Sequence, residues 1–361
     1  MRAVVLVGGA GTRLRPLTAT VPKQMLPIAE VPMIERVLRH LAAHGIEEVV
    51  LSLGYRHQAF LDGLPAQRAV GLTITPAVEP EPLGTAGAIR FAALAAGLAD
   101  ESLLVVNGDV LTDLDIGGLL TAHAACGAEG TIALSNVDDP TSFGLVAAGE
   151  DGRVMAFVEK PPAGAATGGF VNAGTYVLKP SVLDRIPEGR AASIERETFP
   201  AMVTDGTLFA MASDAYWTDT GTPERYLQSQ LDLLSGRRPG PPCPEAVARD
   251  DGVWTVGSAV IDGDVKRPAL VGTAAFVHAG AYVENSVVGA GSRVHEGARV
   301  RGSVLLPGAV VRADAVVDDS MIGEQAVIGE KARLSGLTVV GPGVELEPGA
   351  HLHGARVPAV A

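Results

Sequence analysis

Toward its C-terminus the chain repeats itself. Ile322, Ile328, Leu334, Val340, Leu346 and Leu352 stand six residues apart throughout, and a longer period overlies them: Val271, Val288, Leu305, Ile322, Val340 and Val357 are separated by 17, 17, 17, 18 and 17 residues. Three hexads make one coil of a triangular parallel β-helix, in which each inward aliphatic stacks on its counterpart one coil further on. The runs beginning at Ser286, Ser303 and Ser320 then mark one corner in successive coils. Such a repeat fixes an architecture without naming an activity. Immediately before it, four prolines fall between Pro239 and Pro244, too many for any helix interior. The expected division is therefore a domain over 1–234, a proline-rich linker over 235–256 and the β-helix over 257–361.

The first 234 residues have a different rhythm. Short apolar runs at Ala3–Val7, Val49–Leu53, Leu72–Pro76, Leu103–Asn107 and Thr131–Val137 alternate with helical spacings at Val31–His44, Ala86–Ala96 and Ile116–Cys126. This alternation predicts an α/β domain with a largely parallel, Rossmann-like sheet covered by helices. Ligands in such sheets bind beyond the carboxyl ends of the strands. The polar signals cluster at those ends.

The first strand stops at Gly8-Gly9-Ala10-Gly11-Thr12-Arg13-Leu14-Arg15-Pro16, and Pro22-Lys23 follows. Glycines let backbone N–H groups converge on an anion, and the nearby cations suit a polyphosphate. The run lacks the Gly-Lys-Ser/Thr ending of the NTPase phosphate loop. Arg13 stands where a dinucleotide fold needs a small residue. The ordered motif resembles instead the signature of the sugar-1-phosphate nucleotidyltransferases, the nucleotide-sugar pyrophosphorylases. The C-terminal repeat likewise resembles the left-handed β-helix that follows the catalytic domain in many of them.

That resemblance assigns roles to further motifs. It implies that Leu6, Gly8, Gly9, Gly11, Thr12, Glu79, Glu81, Gly84 and Thr85 line the nucleotide, with Glu79 or Glu81 a candidate reader of the base. Gly144, Glu159, Lys160, Asn172 and Glu195 would meet the sugar phosphate. Arg13 would neutralise the departing pyrophosphate, Lys23 would be shared between it and the α-phosphate, and Lys160 would orient the attacking phosphate. Two aspartates at strand ends, Asp109 in Asn107-Gly108-Asp109 and Asp219 in Trp217-Thr218-Asp219, are the implied Mg²⁺ ligands. Carboxylates and substrate oxygens are the usual way that ion is held. The stretch Glu81-Pro82-Leu83-Gly84-Thr85-Ala86-Gly87 and the repeat length resemble the guanylyl branch. GTP and mannose 1-phosphate are thus the implied substrates, with a thymidylyl, uridylyl or adenylyl transfer to glucose 1-phosphate as the alternative.

Composition limits the other readings. The net charge of −13 disfavours broad nucleic-acid binding, and no basic patch with interleaved aromatics is present. From Gly257 on, 9 Lys and Arg face 11 Asp and Glu, so the acidity lies mainly in the N-terminal part. No signal-like or membrane-spanning apolar run occurs, and Cys126 and Cys243 are too few for a disulfide framework. A cytoplasmic enzyme that assembles as a homo-oligomer is the expectation. An added acyltransferase using His278, His295, His351 or His353, and a non-catalytic regulatory subunit, are the competing readings. The presence of Arg13, Lys23, Asp109, Lys160 and Asp219 together argues against the last.

Overall fold

The computed structural model describes residues 1–54, 57–63, 71–164 and 167–359. The chain divides into two compact bodies, one formed by Met1–Gly9 with Ile34–Thr218, the other by Ala10–Met33 with the chain from Asp219 onward. Among the described residues, the first body is built on a nine-stranded sheet. Its strands are β1 (Arg2–Val7), β2 (Glu48–Leu53), β3 (Thr73–Val78), β4 (Leu103–Asn107), β5 (Gly130–Val137), β6 (Gly144–Ala148), β7 (Val154–Glu159), β8 (Gly169–Leu178) and β9 (Leu208–Ser213). They run β7-β6-β8-β4-β1-β2-β3, and β5 joins β8 to β9.

Strands β1, β2, β3 and β4 are parallel, with Leu6 opposite Asn107 and Val7 opposite Leu53. Ala3, Val4 and Val5 of β1 are wholly buried, the continuous apolar run expected of a strand covered on both faces. The expectation of a largely parallel sheet needs correction beyond residue 144. Strand β8 is antiparallel to β4, β5 and β6, and β7 is antiparallel to β6. Strand β7 follows β6 through a short connection, as antiparallel neighbours can, and β8 returns to the other side of β6, so that β7 and β8 run in the same direction with β6 between them.

The helices fall where the spacing predicts. Helix α1 (Met33–Ala43) buries Ile34, Val37, Leu38 and Leu41, and Gly45 at φ 75° lies just beyond its end. Helix α2 (Gly84–Ala95) packs Ala86, Ile89, Ala92 and Ala93 into the main core. Helix α3 (Ile116–Cys126) begins at Asp115, whose carboxylate accepts the Gly118 N–H at 3.0 Å. Cys126 and Cys243 are free thiols. Among the described residues no helix is long and apolar enough to cross a membrane.

In the second body, helix α4 (Pro223–Ser235) opens on Thr222, whose hydroxyl accepts the Arg225 N–H at 3.4 Å. A hairpin of Ala246–Ala248 with Trp254–Val256 follows, and Trp254 pairs in parallel with Leu270. Residues 246–256 of the proline-rich stretch thus already join the β-helix sheet. From there the strands are parallel and strongly curled. Val271, Val288, Leu305, Ile322, Val340 and Val357 are register partners in that order, as their spacing requires. Val277, Val294, Val311 and Ile328 form a second inward column, and Val283, Val300, Val317, Leu334 and Leu352 a third. The serine corner is a ladder, in which Ser303 N donates to Ser286 Oγ at 3.1 Å and Ser320 N to Ser303 Oγ at 3.0 Å. The single 18-residue step places its extra residue between Leu334 and Thr338. Gly336 and Leu337 there both have φ 62°.

Candidate active site

In the first body the parallel strands end along one edge, and each ends in residues that keep that edge open. Among the described residues, no atom beyond the adjoining residues lies within 4 Å of where a Cβ would stand at Gly8 or Gly9, and Gly9 has φ +97°. Backbone there is accessible to an anion. At the tip of β4, Gly108 N donates to Leu6 O at 2.9 Å, and a Cβ on Gly108 would stand 2.9 Å from that same oxygen. Only glycine permits this approach, which fixes Asp109 beside the end of β1. The Leu6 side chain is buried, so its contribution at this edge is its backbone.

Glu79, at the end of β3, is anchored at both oxygens. Ser52 Oγ donates to Oε1 at 3.1 Å and Leu83 N to Oε2 at 3.2 Å, while Oε1 lies beside Gly54, itself next to Gly8. Glu81 is exposed. Gly84, at φ +70°, serves the chain's own packing: a Cβ there would fall 2.5 Å from Ala192 O. Thr85 and Glu195, read from distant motifs, meet directly. Glu195 Oε2 accepts from Thr85 Oγ1 at 2.6 Å and from Ser193 Oγ at 2.7 Å, and Ile194 N donates to Thr85 Oγ1 at 2.9 Å.

The residues expected at the sugar phosphate also come together. A Cβ on Gly144 would stand 2.6 Å from the Phe157 ring and 3.2 Å from Glu159 Oε2, so this glycine makes room for the Glu159 side chain. Lys160 has φ 52°, donates its N–H to Phe143 O at 2.9 Å and holds Nζ 3.7 Å from Glu159 Oε1. Burial raises the Glu159 carboxyl above its ordinary pKa, the charge of Glu195 adds to the rise, and Lys160 and Arg196 oppose it. Asn172 bridges the cluster: its Oδ1 accepts Gly174 N at 3.0 Å and its Nδ2 donates to Tyr176 Oη at 3.0 Å.

Tyr176 was not singled out by sequence reasoning. It is fully buried, and its phenol is driven well above the usual range by burial first, with Glu195, Glu159 and Asp109 adding to the rise. Three carboxylates from three separate motifs thus act on one side chain. Its only sequence signal was its place two residues after the Asn172-Ala173-Gly174 turn. Trp217 closes this side, with Nε1 donating to Ala173 O at 2.9 Å and its ring edge-on to Phe143, centroids 5.1 Å apart.

The second body carries the rest of the glycine-rich motif. Thr12 and Arg13 are exposed on a 3₁₀ turn, Thr12–Leu14. Gly11, at φ +58°, packs against Lys23, whose Cβ would be 3.2 Å from a Cβ on the glycine, and its carbonyl accepts Thr18 Oγ1 at 2.8 Å. Asp219 Oδ1 accepts Gly221 N at 2.6 Å, and a Cβ on Gly221 would stand 2.8 Å from the Arg13 guanidinium. Arg13 and Asp219 are therefore neighbours.

Asp109 and Asp219 are both half-buried, and among the described residues no group of three or more His, Cys, Asp or Glu could hold a metal by itself. Carboxylate oxygens of this kind fit Mg²⁺, which keeps waters and takes substrate oxygens, and do not fit a thiolate- or imidazole-bound metal.

A sequence profile described as nucleotidyl transferase matches residues 2–236. The chain belongs to the nucleotidyl transferase family. A second profile, described as the GMPPB C-terminal domain, matches residues 265–360 of this nucleotidyl transferase. Mannose-1-phosphate guanylyltransferase of Mycobacterium tuberculosis is 40% identical over 294 residues, 79% of each chain. Mannose-1-phosphate guanylyltransferase 1 of Arabidopsis thaliana is 38% identical over 296 residues, 80% of this chain and 79% of that one. Among solved structures, HddC from Yersinia pseudotuberculosis is similar at a TM-score of 0.56 and 30% identity, covering 63% of this chain and 97% of that one.

Proposed function

We propose that this nucleotidyl transferase is a mannose-1-phosphate guanylyltransferase, making GDP-mannose and pyrophosphate from GTP and mannose 1-phosphate. The observation that carries the reading is the 40% identity to a relative of that name over 79% of each chain. A phosphate oxygen of the sugar attacks the α-phosphorus of GTP, a P–O bond forms there, and the bond to the β-phosphate bridge breaks as pyrophosphate leaves. No protein nucleophile is needed, because positioning and charge stabilisation suffice.

In this reading Gly8, Gly9, Gly11 and Thr12 receive the phosphates, Arg13 and Lys23 balance charge on the leaving group and the α-phosphate, and Lys160 aligns the sugar phosphate. Asp109 and Asp219 would hold Mg²⁺, which would supply charge neutralisation at the α-phosphate. Glu159, Asn172 and Glu195 accept from or donate to sugar hydroxyls. Glu79 reads the base: guanine presents N1–H and the 2-amino group side by side to a carboxylate, whereas uracil and thymine present one N3–H between two repelling oxygens.

The test is pyrophosphate release with GTP, ATP, UTP and dTTP, each against mannose 1-phosphate and glucose 1-phosphate, with and without EDTA. GTP with mannose 1-phosphate should give the highest kcat/KM, and EDTA should abolish it. A best pair of dTTP with glucose 1-phosphate would replace this reading with the thymidylyl one.

A further inference from the structure

The segment from Ala10 to Met33, which bears Arg13 and Lys23, is held at two places by the β-helix. Arg356 lies on its last strand, Arg356–Val357, paired to Val339–Val340, and Val340 is wholly buried in the β-helix core. From that platform Arg356 Nη1 donates to Arg13 O at 2.7 Å and to Arg15 O at 3.0 Å. Next to it, a Cβ on Gly341 would stand 3.0 Å from Pro16, so the coil backbone runs directly against the turn. At the other end, Glu30 Oε1 accepts Ala290 N at 2.9 Å and Oε2 accepts Thr273 N at 3.4 Å. Gly272 makes this fit possible, since a Cβ there would overlap the Glu30 carboxylate at 2.5 Å.

Between these anchors the segment has little regular structure of its own. It contains three 3₁₀ turns of three residues each and a two-residue hairpin whose turn, Ala29 at φ 44° and Glu30 at φ 73°, is left-handed without glycine. Such turns are too short to hold their own position, and strained backbone persists only where the surroundings over-determine it.

We propose that Arg356 is a positioning residue for nucleotidyl transfer, in which the last coil of the β-helix fixes the backbone of the Arg13 turn and so aims Arg13 for the transition state. Both bonds leave the one nitrogen Nη1, whose two N–H groups are fixed in the guanidinium plane and reach carbonyls two residues apart. The proposal rests on the nucleotidyl transfer reading for its catalytic consequence, but not on the choice of GTP or mannose 1-phosphate.

The test uses the full chain with whichever NTP and sugar phosphate the wild type uses best. Arg356→Ala should lower kcat by about 10- to 100-fold with KM nearly unchanged, the scale of a misplacement near 1 Å. Arg356→Lys should recover part of that loss. In the Arg13→Ala background, Arg356→Ala should cost almost nothing further, because the two act as a unit. Independently of any activity, hydrogen exchange should rise in Arg356→Ala at the amides of Thr12 to Lys23 while those of the coils stay protected. Wild-type kcat, or additive losses in the double variant, would overturn the positioning role even with nucleotidyl transfer established. Unchanged exchange in that segment would overturn the clamp itself, and would do so even if the chain transferred no nucleotide at all.

Discussion

Single charges decide the chemistry proposed for Lys23 and Asp109, since phosphoryl oxygens gain charge in the transition state and preorganised partners act at no cost in reorganisation. Lys23→Ala and Asp109→Asn should each lower kcat by about 10²-fold or more, with the melting temperature close to wild type. A purified variant with the wild-type rate would remove that residue from the mechanism. Glu79 has a measurable signature too. Glu79→Gln should weaken GTP use by roughly 1–3 kcal/mol while leaving UTP and dTTP little changed, and an equal loss for all three would reduce Glu79 to its contacts with Ser52 and Leu83. Glu159 supplies a pH dependence. Its raised pKa means that it takes up a proton at higher pH than an ordinary carboxylate, so kcat/KM for the sugar phosphate should fall on acidification sooner. Removing the positive charge in Lys160→Ala should move that midpoint up, and Glu195→Gln should move it down. Profiles compared between variants cancel the titration of the substrate itself. Midpoints that do not move, or that move the other way, would contradict the cluster.

Which elements could be read in advance depended on whether the signal was local. The β-helix columns were legible because their register is the sequence period itself: Val271 pairs with Val288, and Ile322 with Val340 across the one long step. Helix α3 was legible from its apolar spacing for the same reason. The antiparallel half of the sheet was not, since β6 to β8 lack the intervening helices that mark parallel crossovers and their partners are set by tertiary pairing. The meeting of Thr85 with Glu195 was hidden as well, because nothing in either motif records a contact 110 residues away. Gly84 shows the same limit from the other side. Its glycine invited a ligand-facing reading, whereas the neighbour that demands it is Ala192 O, 2.5 Å from a would-be Cβ. Gly84→Ala should therefore lower stability by about 1–2 kcal/mol from the left-handed backbone alone, and more from the overlap. Thermal or urea unfolding measures this. Unaltered stability would mean that the start of α2 can shift away from Ala192 freely.

At the scale of the whole molecule, the fold departs from a simple division into a catalytic half and a repeat half. The glycine-rich motif is cut after Gly9: the strand that precedes it belongs with the sheet, and Arg13 and Lys23 belong with the β-helix body. A linear boundary near residue 235 could not have revealed that, because the residues that claim the motif, Arg356 and Gly341 among them, lie more than 300 positions downstream. Charge gives a consistent picture at this scale. In the proposed reading a chain with a net charge of −13 would bind polyanions only where Arg13, Lys23, Lys160 and Mg²⁺ neutralise them locally, so affinity for extended nucleic acid should be absent. The central claim is one of specificity, and specificity is a ratio of kcat/KM values measured in competition. The direct measurement offers the full chain equal concentrations of GTP, UTP and dTTP together with equal mannose 1-phosphate and glucose 1-phosphate in Mg²⁺, and identifies the nucleotide sugars by mass. GDP-mannose should dominate from the earliest time points, whereas dTDP-glucose or UDP-glucose as the main product would contradict the account.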